Sequence, residues 1–493
     1  MALFPRGIYN LGAALTALGA LWLQACLTAP SLPPSSVLAP PPAIGVTAEK
    51  AFLAGAAQKD DWPSDRWWES FADPLLNQMV ERALAGSPDI KMARARARLA
   101  ENIARAAGAA TSVTASAGGS VGLQQMSENS LIPAEFLDNP YTNAEITLNL
   151  GYNLDLWGAA RMATEGKIGK LKAAQAEEQA VRLAITAAVA RSYFSLQSLV
   201  GLHHVARNAL DARRQSMEMI RKKLERGLET ELNLERAIFA MTGDEDLLAT
   251  LEQAEALERT QLAALAGAGP DDGSLIAIST PAEGIAPAPL PEGLPLDLVH
   301  RRADIAAARW RVEAAAKEVG SARAEYYPNI NLRAVGGLQT VDIGQLFSSG
   351  SLMYNAMSAI HLPLYYGGAL GANLGARGAE YDMAVEKYNQ TLLQAAQEVA
   401  GALAQLEGAA KRMDIARRAL ATARKVYRLT MTRFDKGLDD YLTALKAQDE
   451  VFAQERRLAL LQGAALQTRV ALVAALGGGF MDNDSRQKEA SGK

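Results

Sequence analysis

The sequence holds one cysteine, Cys26, and four histidines, His203, His204, His300 and His361, in 493 residues. A single cysteine excludes an internal disulfide and every metal site built from several thiolates. His203 and His204 fall in a polar helical stretch and read as a solvated helix face. There is no glycine-rich phosphate loop, nucleophile elbow or zinc-protease motif. The chain therefore reads as a non-enzyme, with no metal and no bound cofactor. A basic excess is missing too: the net charge is −4, and no basic stripe invites nucleic acid. The fourteen methionines form no stripe that would suit copper or silver. Beyond residue 30 no apolar run reaches about 18 to 20 residues, so no transmembrane helix is expected in the mature chain.

What is present begins with an address. Residues 1–26, MALFPRGIYNLGAALTALGALWLQAC, have an early Arg, an apolar core and then Leu23-Gln24-Ala25-Cys26. A short apolar core after a basic start is a secretory signal peptide. Its end resembles the bacterial lipoprotein signal, which implies cleavage before Cys26, a diacylglycerol on its thiol and an N-acyl (palmitate-type) chain on the new amine. At about 0.8 kcal/mol per buried methylene, such chains make a stable anchor. Leu27, rather than Asp, follows the cysteine, and in that class this implies transfer to the outer membrane of a Gram-negative bacterium. Next comes LTAPSLPPSSVLAPPPAIG, a Pro/Ser tether expected to stay extended.

The remaining chain repeats itself. Ser87-Pro88-Asp89-Ile90 through Arg96 returns as Arg302-Ala303-Asp304-Ile305 through Arg311, and ERGLETELNLERA (225–237) returns as DKGLDDYLTALKA (435–447). A spacing near 210 residues implies two halves rather than a solenoid. The expected division is a signal peptide 1–25, a lipid-anchored tether 26–60, a first repeat 61–267, a crossover 268–297, a second repeat 298–477 and a flexible tail 478–493. Each half reads as helices, then two strands, then long helices. Residues 145–156 alternate strongly, with Ile146, Leu148, Leu150, Tyr152, Leu154 and Leu156 on one face and Glu145, Thr147, Asn149 and Asn153 on the other. Further strands are expected at 113–123, 329–338 and 352–364. Leu392, Ala396, Val399, Leu403 and Leu406 recur at coiled-coil spacing, as do Ile185, Val189, Ser192, Leu196 and Leu199. A helix over 367–412 would run on the order of 65 Å.

Strands of about 10 to 13 residues suit a tilted crossing of a bilayer. Four cannot close a transmembrane barrel, since the smallest use about eight, and an open edge in lipid strands unpaired backbone groups. Each hairpin could instead lie on a helix, as in a soluble α+β domain, but strand pairs at equivalent places in both halves fit a barrel shared by several chains: two would supply eight strands, three twelve.

WWESFADPLLNQMVERALAGSPDIKMARARARLAEN (67–102), DLWGAAR (155–161), RRADIAAARWRVEAAAKEVGSARAEYYPNINL (301–332), LPLYYGGALGANL (362–374) and GLDDYLTALKAQ (437–448) together resemble the TolC/OprM-type outer-membrane efflux channels. The resemblance spans roughly 67–477. It implies a mainly α fold with a membrane β-barrel, built as a homotrimer: twelve strands in the outer membrane continuing into a periplasmic α-barrel. It implies a passive exit duct of a tripartite efflux system, coupled through a periplasmic adaptor (membrane fusion) protein to an inner-membrane RND-type transporter. An outer channel for type I protein secretion, or a pore-free lipid-anchored coiled-coil scaffold, are the alternatives. Members commonly carry Arg-Pro-Asp where this chain has Arg302-Ala303-Asp304, many have Asp where it has Lys446, and its first hairpin lacks a Pro that often opens the strand. By the same resemblance, Asp439, Asp440, Tyr427 and Arg433 are the candidate periplasmic gate, and Gly227, Leu228, Gly437 and Leu438 the candidate adaptor contacts. The two carboxylates also suit a helix start. Trp157 and Tyr365–Tyr366 end their strands, where an aromatic girdle or packing under the next helix would each suit them.

Overall fold

The computed structural model describes residues 35–43, 49, 57–59, 61–125, 127, 140–274, 276–278, 288–290 and 299–481. The signal peptide, Cys26, much of the crossover and the tail beyond 481 lie outside the described residues. The chain is mostly helical and forms two compact units, each assembled from separate stretches.

The first unit takes Arg96–Ala174 and Ala308–Tyr388 together with the N-terminal stretch to Leu38. Its centre is one antiparallel sheet of four strands: β2 (Thr114–Gln124), β3 (Tyr141–Asn153), β5 (Asn329–Thr340) and β6 (Leu352–His361), in the order β2-β3-β5-β6. The register sets Leu148 between Ala117 and Gly336, and Leu150 between Ala115 and Ala334. Two strands end before the alternation does. β3 stops at Asn153, short of the expected 156, because Asp155 turns to positive φ and its carboxylate accepts from Ala160 N at 2.9 Å and Arg161 N at 2.8 Å. That opens a helix in place of further ladder. β6 stops at His361, short of the expected 364; Pro363 has no N–H to give a ladder.

The second unit takes Ala39–Ala95, Gln175–Ala307 and Asn389–Lys493. Its largest core packs Trp67, Trp68, Leu76, Val80, Val189, Tyr193, Leu196, Leu262 and Val470. Asp73 caps α1 (Pro74–Gly86) through Leu75 N at 3.0 Å and accepts from the Tyr193 hydroxyl at 2.5 Å. Burial, reinforced by that carboxylate, pushes the Tyr193 phenol far up. A small parallel pair, β1 (Ala57–Lys59) with β4 (Ala288–Leu290), completes the unit's sheet content among the described residues.

The helices recur in matched lengths. α2 (Pro88–Ala109) and α5 (Ala303–Ala324) have 22 residues each; α3 (Ala159–Glu225) and α6 (Ala369–Asp435) have 67; α4 (Glu231–Leu265) and α7 (Tyr441–Ala475) have 35. Both long pairs begin 210 positions apart. At 1.5 Å per residue, 67 residues run on the order of 100 Å, well past the end expected at Arg412. Leu392, Ala396, Val399, Leu403 and Leu406 are all buried, as the seam requires.

Apolarity along α3 and α7 exceeds the expectation. Each is long and apolar enough over part of its length to cross a membrane, by length and composition alone. These helices supply Val189, Tyr193, Leu196, Val470 and Val473 to the core. Just before α5 stands a buried arginine. Arg302 pairs with Asp304 at 2.7 Å and Glu398 at 2.8 Å and donates to the Ala475 carbonyl at 2.8 Å, a C-terminal orphan of α7. A buried charge so fully paired is tolerated.

Candidate functional site

Burial along β3 is turned inside out. Along β3 the apolar side chains are the exposed ones, Ile146, Leu148, Leu150 and Tyr152, while Glu145, Thr147, Asn149 and Asn153 are half-buried. A sheet folded in water reverses this. The polar side is internally bonded: Ser120 Oγ donates to Glu145 Oε1 at 3.1 Å, and Asn149 Nδ2 to Thr147 Oγ1 at 3.2 Å. On β6, Leu352, Tyr354 and Ile360, which share the apolar face, are exposed. β2 and β6 each present an outer edge with no strand against it among the described residues. An apolar exterior with two open edges is what a segment of lipid-facing barrel presents.

The aromatic strand ends behave differently from each other. Trp157 donates its indole N–H to the Pro328 carbonyl at 2.9 Å and stacks on Tyr327 at 4.9 Å, yet stays half-exposed. Tyr365 is almost bare, and Tyr366 shares a 2.8 Å hydrogen bond with His361.

The helix tips are built by one device used twice. Gly227 N donates to the Leu224 carbonyl and Leu228 N to that of Lys223; Gly437 N donates to Phe434 and Leu438 N to Arg433, all at 2.9 Å. These are paired Schellman closures. Gly227 and Gly437 hold φ of +70° and +72°, and a Cβ on either would meet nothing, so glycine serves the backbone and not the space. Leu228 is 70% exposed and Leu438 63%, an arrangement costly in water for two leucines at equivalent turns. Thr230 then caps α4 and Asp440 caps α7.

The four gate candidates do not form one cluster. Arg433 grips Asp439 through two hydrogen bonds, 2.7 and 3.1 Å, and this holds the Asp439 carboxyl below the ordinary carboxylate value. Asp440 accepts from the Thr443 hydroxyl at 2.5 Å and from Thr443 N at 2.9 Å; those bonds, with Lys446 adding its charge, hold it down as well. The helix-start role of Asp440 is thus occupied. Tyr427 stands apart, packed on the Leu420–Ala423–Val451 cluster, its phenol pushed up by burial and by the Asp435 charge.

One buried polar group at these helices escaped the sequence reading. Arg213 of α3 pairs with Asp244 of α4 and Asp449 of α7, with both Arg213 and Asp244 buried. Burial works against its charge, and the two carboxylates outweigh it. Beneath it Met217, Ile220, Ala237, Phe434, Tyr441 and Leu445 form one apolar cluster, with Lys223 Nζ 4.0 Å over the Phe434 ring. An arginine in step with core positions of α3 was the available signal. His203 likewise has a partner, Glu255 at 2.9 Å. Among the described residues no group of metal-binding side chains gathers.

An exposed apolar sheet face with two open edges is the surface that a membrane-embedded sheet presents. Comparison with known proteins agrees. The outer membrane efflux protein family matches residues 79–268 and 294–478, and the chain belongs to that family. It is similar to the multidrug resistance outer membrane protein MdtP of Escherichia coli O6:H1, with 31% identity over 85% of this chain and 87% of that one. It is 36% identical to the fusaric acid resistance protein FusA of Burkholderia cepacia, over 67% of this chain and 62% of that protein. The solved structure of VceC, an outer membrane protein of Vibrio cholerae, superposes with a TM-score of 0.79 at 35% identity, covering 85% of this chain and all of VceC. The protein is an outer-membrane efflux channel.

Proposed function

We propose that three copies close one twelve-stranded barrel through the open edges of β2 and β6, and that the channel is the passive exit duct of a tripartite system. The inverted burial of β3 carries this reading, since it calls for lipid on one face and water on the other. In the assembled ring the two structural halves of each chain alternate. The long helices continue as a periplasmic α-barrel, and acyl chains on Cys26 add an anchor. Leu228 and Leu438, raised on their glycine turns, are surfaces for a periplasmic adaptor, which couples the duct to an inner-membrane RND-type transporter. The cargo is small molecules, in keeping with the resistance named for MdtP and FusA.

The Arg433–Asp439 pair is the part of the gate we propose as its closing contact, repeated three times around the axis. Asp440 and Tyr427 support it, one by starting α7 and the other by packing α6. Purified protein in a planar bilayer tests this. Wild type is expected to conduct poorly, and Arg433→Ala and Asp439→Ala to conduct more. A pore that conducts in no variant overturns the duct; a pore equally open in all of them overturns the gate.

A further inference from the structure

The tether does not leave the folded body freely. Ser35 N donates to Asp382 Oδ1 at 3.2 Å, Ser36 N to the same oxygen at 3.1 Å, and the Ser35 hydroxyl to Asp382 Oδ2. Seven residues further along α6, two helical turns on and so on the same face, Asn389 Oδ1 accepts from Ala39 N at 2.8 Å. One carboxylate thus takes three donors from two residues of a segment with no secondary structure of its own, and a second side chain repeats the grip. The segment advances along α6 in the helix's own direction, so its upstream end is aimed at the start of α6, just after β6.

Chain geometry then gives the clamp a use. Cys26 precedes Ser35 by nine residues, and nine residues reach at most roughly 32 Å. Asp382 lies thirteen residues after Ala369, the first residue of α6, or roughly 20 Å along the axis. The leash is long enough to bring Cys26 level with the strand ends and too short to let it wander far past them.

We infer that Asp382, with Asn389, is a positioning residue for membrane assembly: it clamps Ser35–Ala39 to α6 and so delivers a lipid on Cys26 to the bilayer beside the strand ends. This rests on the reading that Cys26 is acylated. Without the clamp the leash lengthens, and each doubling of its length lowers the local concentration of the anchor at the barrel roughly threefold by the −3/2 power of length.

The test uses the full-length protein in its own outer membrane, comparing wild type, Asp382→Asn, and Asp382→Ala with Asn389→Ala. Elastase cutting at Val37 or Leu38 reports the clamp, and the rate at which pulse-labelled chains become heat-resistant oligomers reports assembly. The double variant should be cut about tenfold faster and assemble several-fold more slowly. Asp382→Asn, which keeps an acceptor oxygen, should stay near wild type. In a Cys26→Ser chain secreted behind a non-lipoprotein signal, releasing the clamp should cost assembly nothing further. Unchanged cutting overturns the clamp. Faster cutting with unchanged assembly of acylated chains overturns the positioning role, as does an equal assembly loss in the Cys26→Ser chain. The mass of the N-terminal peptide reads acylation independently: an unmodified Cys26 removes the lipoprotein reading and the leash with it, while the cutting result still decides the clamp.

Discussion

Gly227 and Gly437 are residues whose replacement has one cause. Alanine at either position meets open space but must hold φ near +70°. Each substitution is expected to cost about 1–2 kcal/mol and to lower the thermal midpoint of the purified channel, with no change in expression of secondary structure by circular dichroism. Arg213 behaves oppositely, because it is partners that would suffer. Arg213→Met leaves Asp244 buried without its cation and is expected to cost about 3 kcal/mol in denaturant unfolding. Asp449→Asn should cost clearly less, since Asp449 is half-exposed. The proposed gate pair carries a pH prediction whose sign follows from the depressed Asp439 carboxyl. The Arg433–Asp439 contact is complete above the ordinary value of 3.8 and is lost as pH falls through the lower value of the folded protein. Conductance titrated from pH 7 should therefore stay flat to about pH 4 and rise only below it; a rise near pH 6 would place the gate elsewhere.

At the scale of elements, the strand expected at 113–123 lies at Thr114–Gln124 and that at 329–338 at Asn329–Thr340. Period-two alternation reports which side chains share a face whatever solvent meets it, and so it was readable. What ends a strand is less so: Asp155 ends β3 by capping the next helix, and alternation in 154–156 carries no trace of that competition. Leu148→Arg, on the apolar face, is expected to cost about 2–4 kcal/mol at mid-bilayer and to abolish heat-resistant oligomers on gels. Asn149→Asp, one residue on and facing the other way, should leave oligomers intact and raise cation selectivity in the bilayer recording. Equal effects of the two would refute the assignment of faces. The tip turns were legible because Gly-Leu recurs with its surroundings. The split of the gate candidates was not, because 427, 433, 439 and 440 are near in sequence yet only 433 and 439 touch.

For the whole molecule, the consequence of the open edges is stoichiometric. Within one chain β2 and β6 are separated by two strands, about 14 Å at the usual strand spacing, beyond any disulfide. Cysteine pairs scanned along the two edges, such as Ser116→Cys with Asn355→Cys, should cross-link only between copies and give a ladder ending at three. Intramolecular bonding, or a ladder ending at two, overturns the trimer. The sequence by itself determined the helical class, the strand faces, the paired tips and the family, since each is a matter of local period or of a motif at fixed spacing. Only the tertiary structure decided that Arg213 joins three helices, that Asp439 and not Asp440 meets Arg433, and that Asp382 holds the tether. Those contacts join residues between 6 and 347 positions apart, and chain entropy leaves such choices to whichever packing buries the most surface around them.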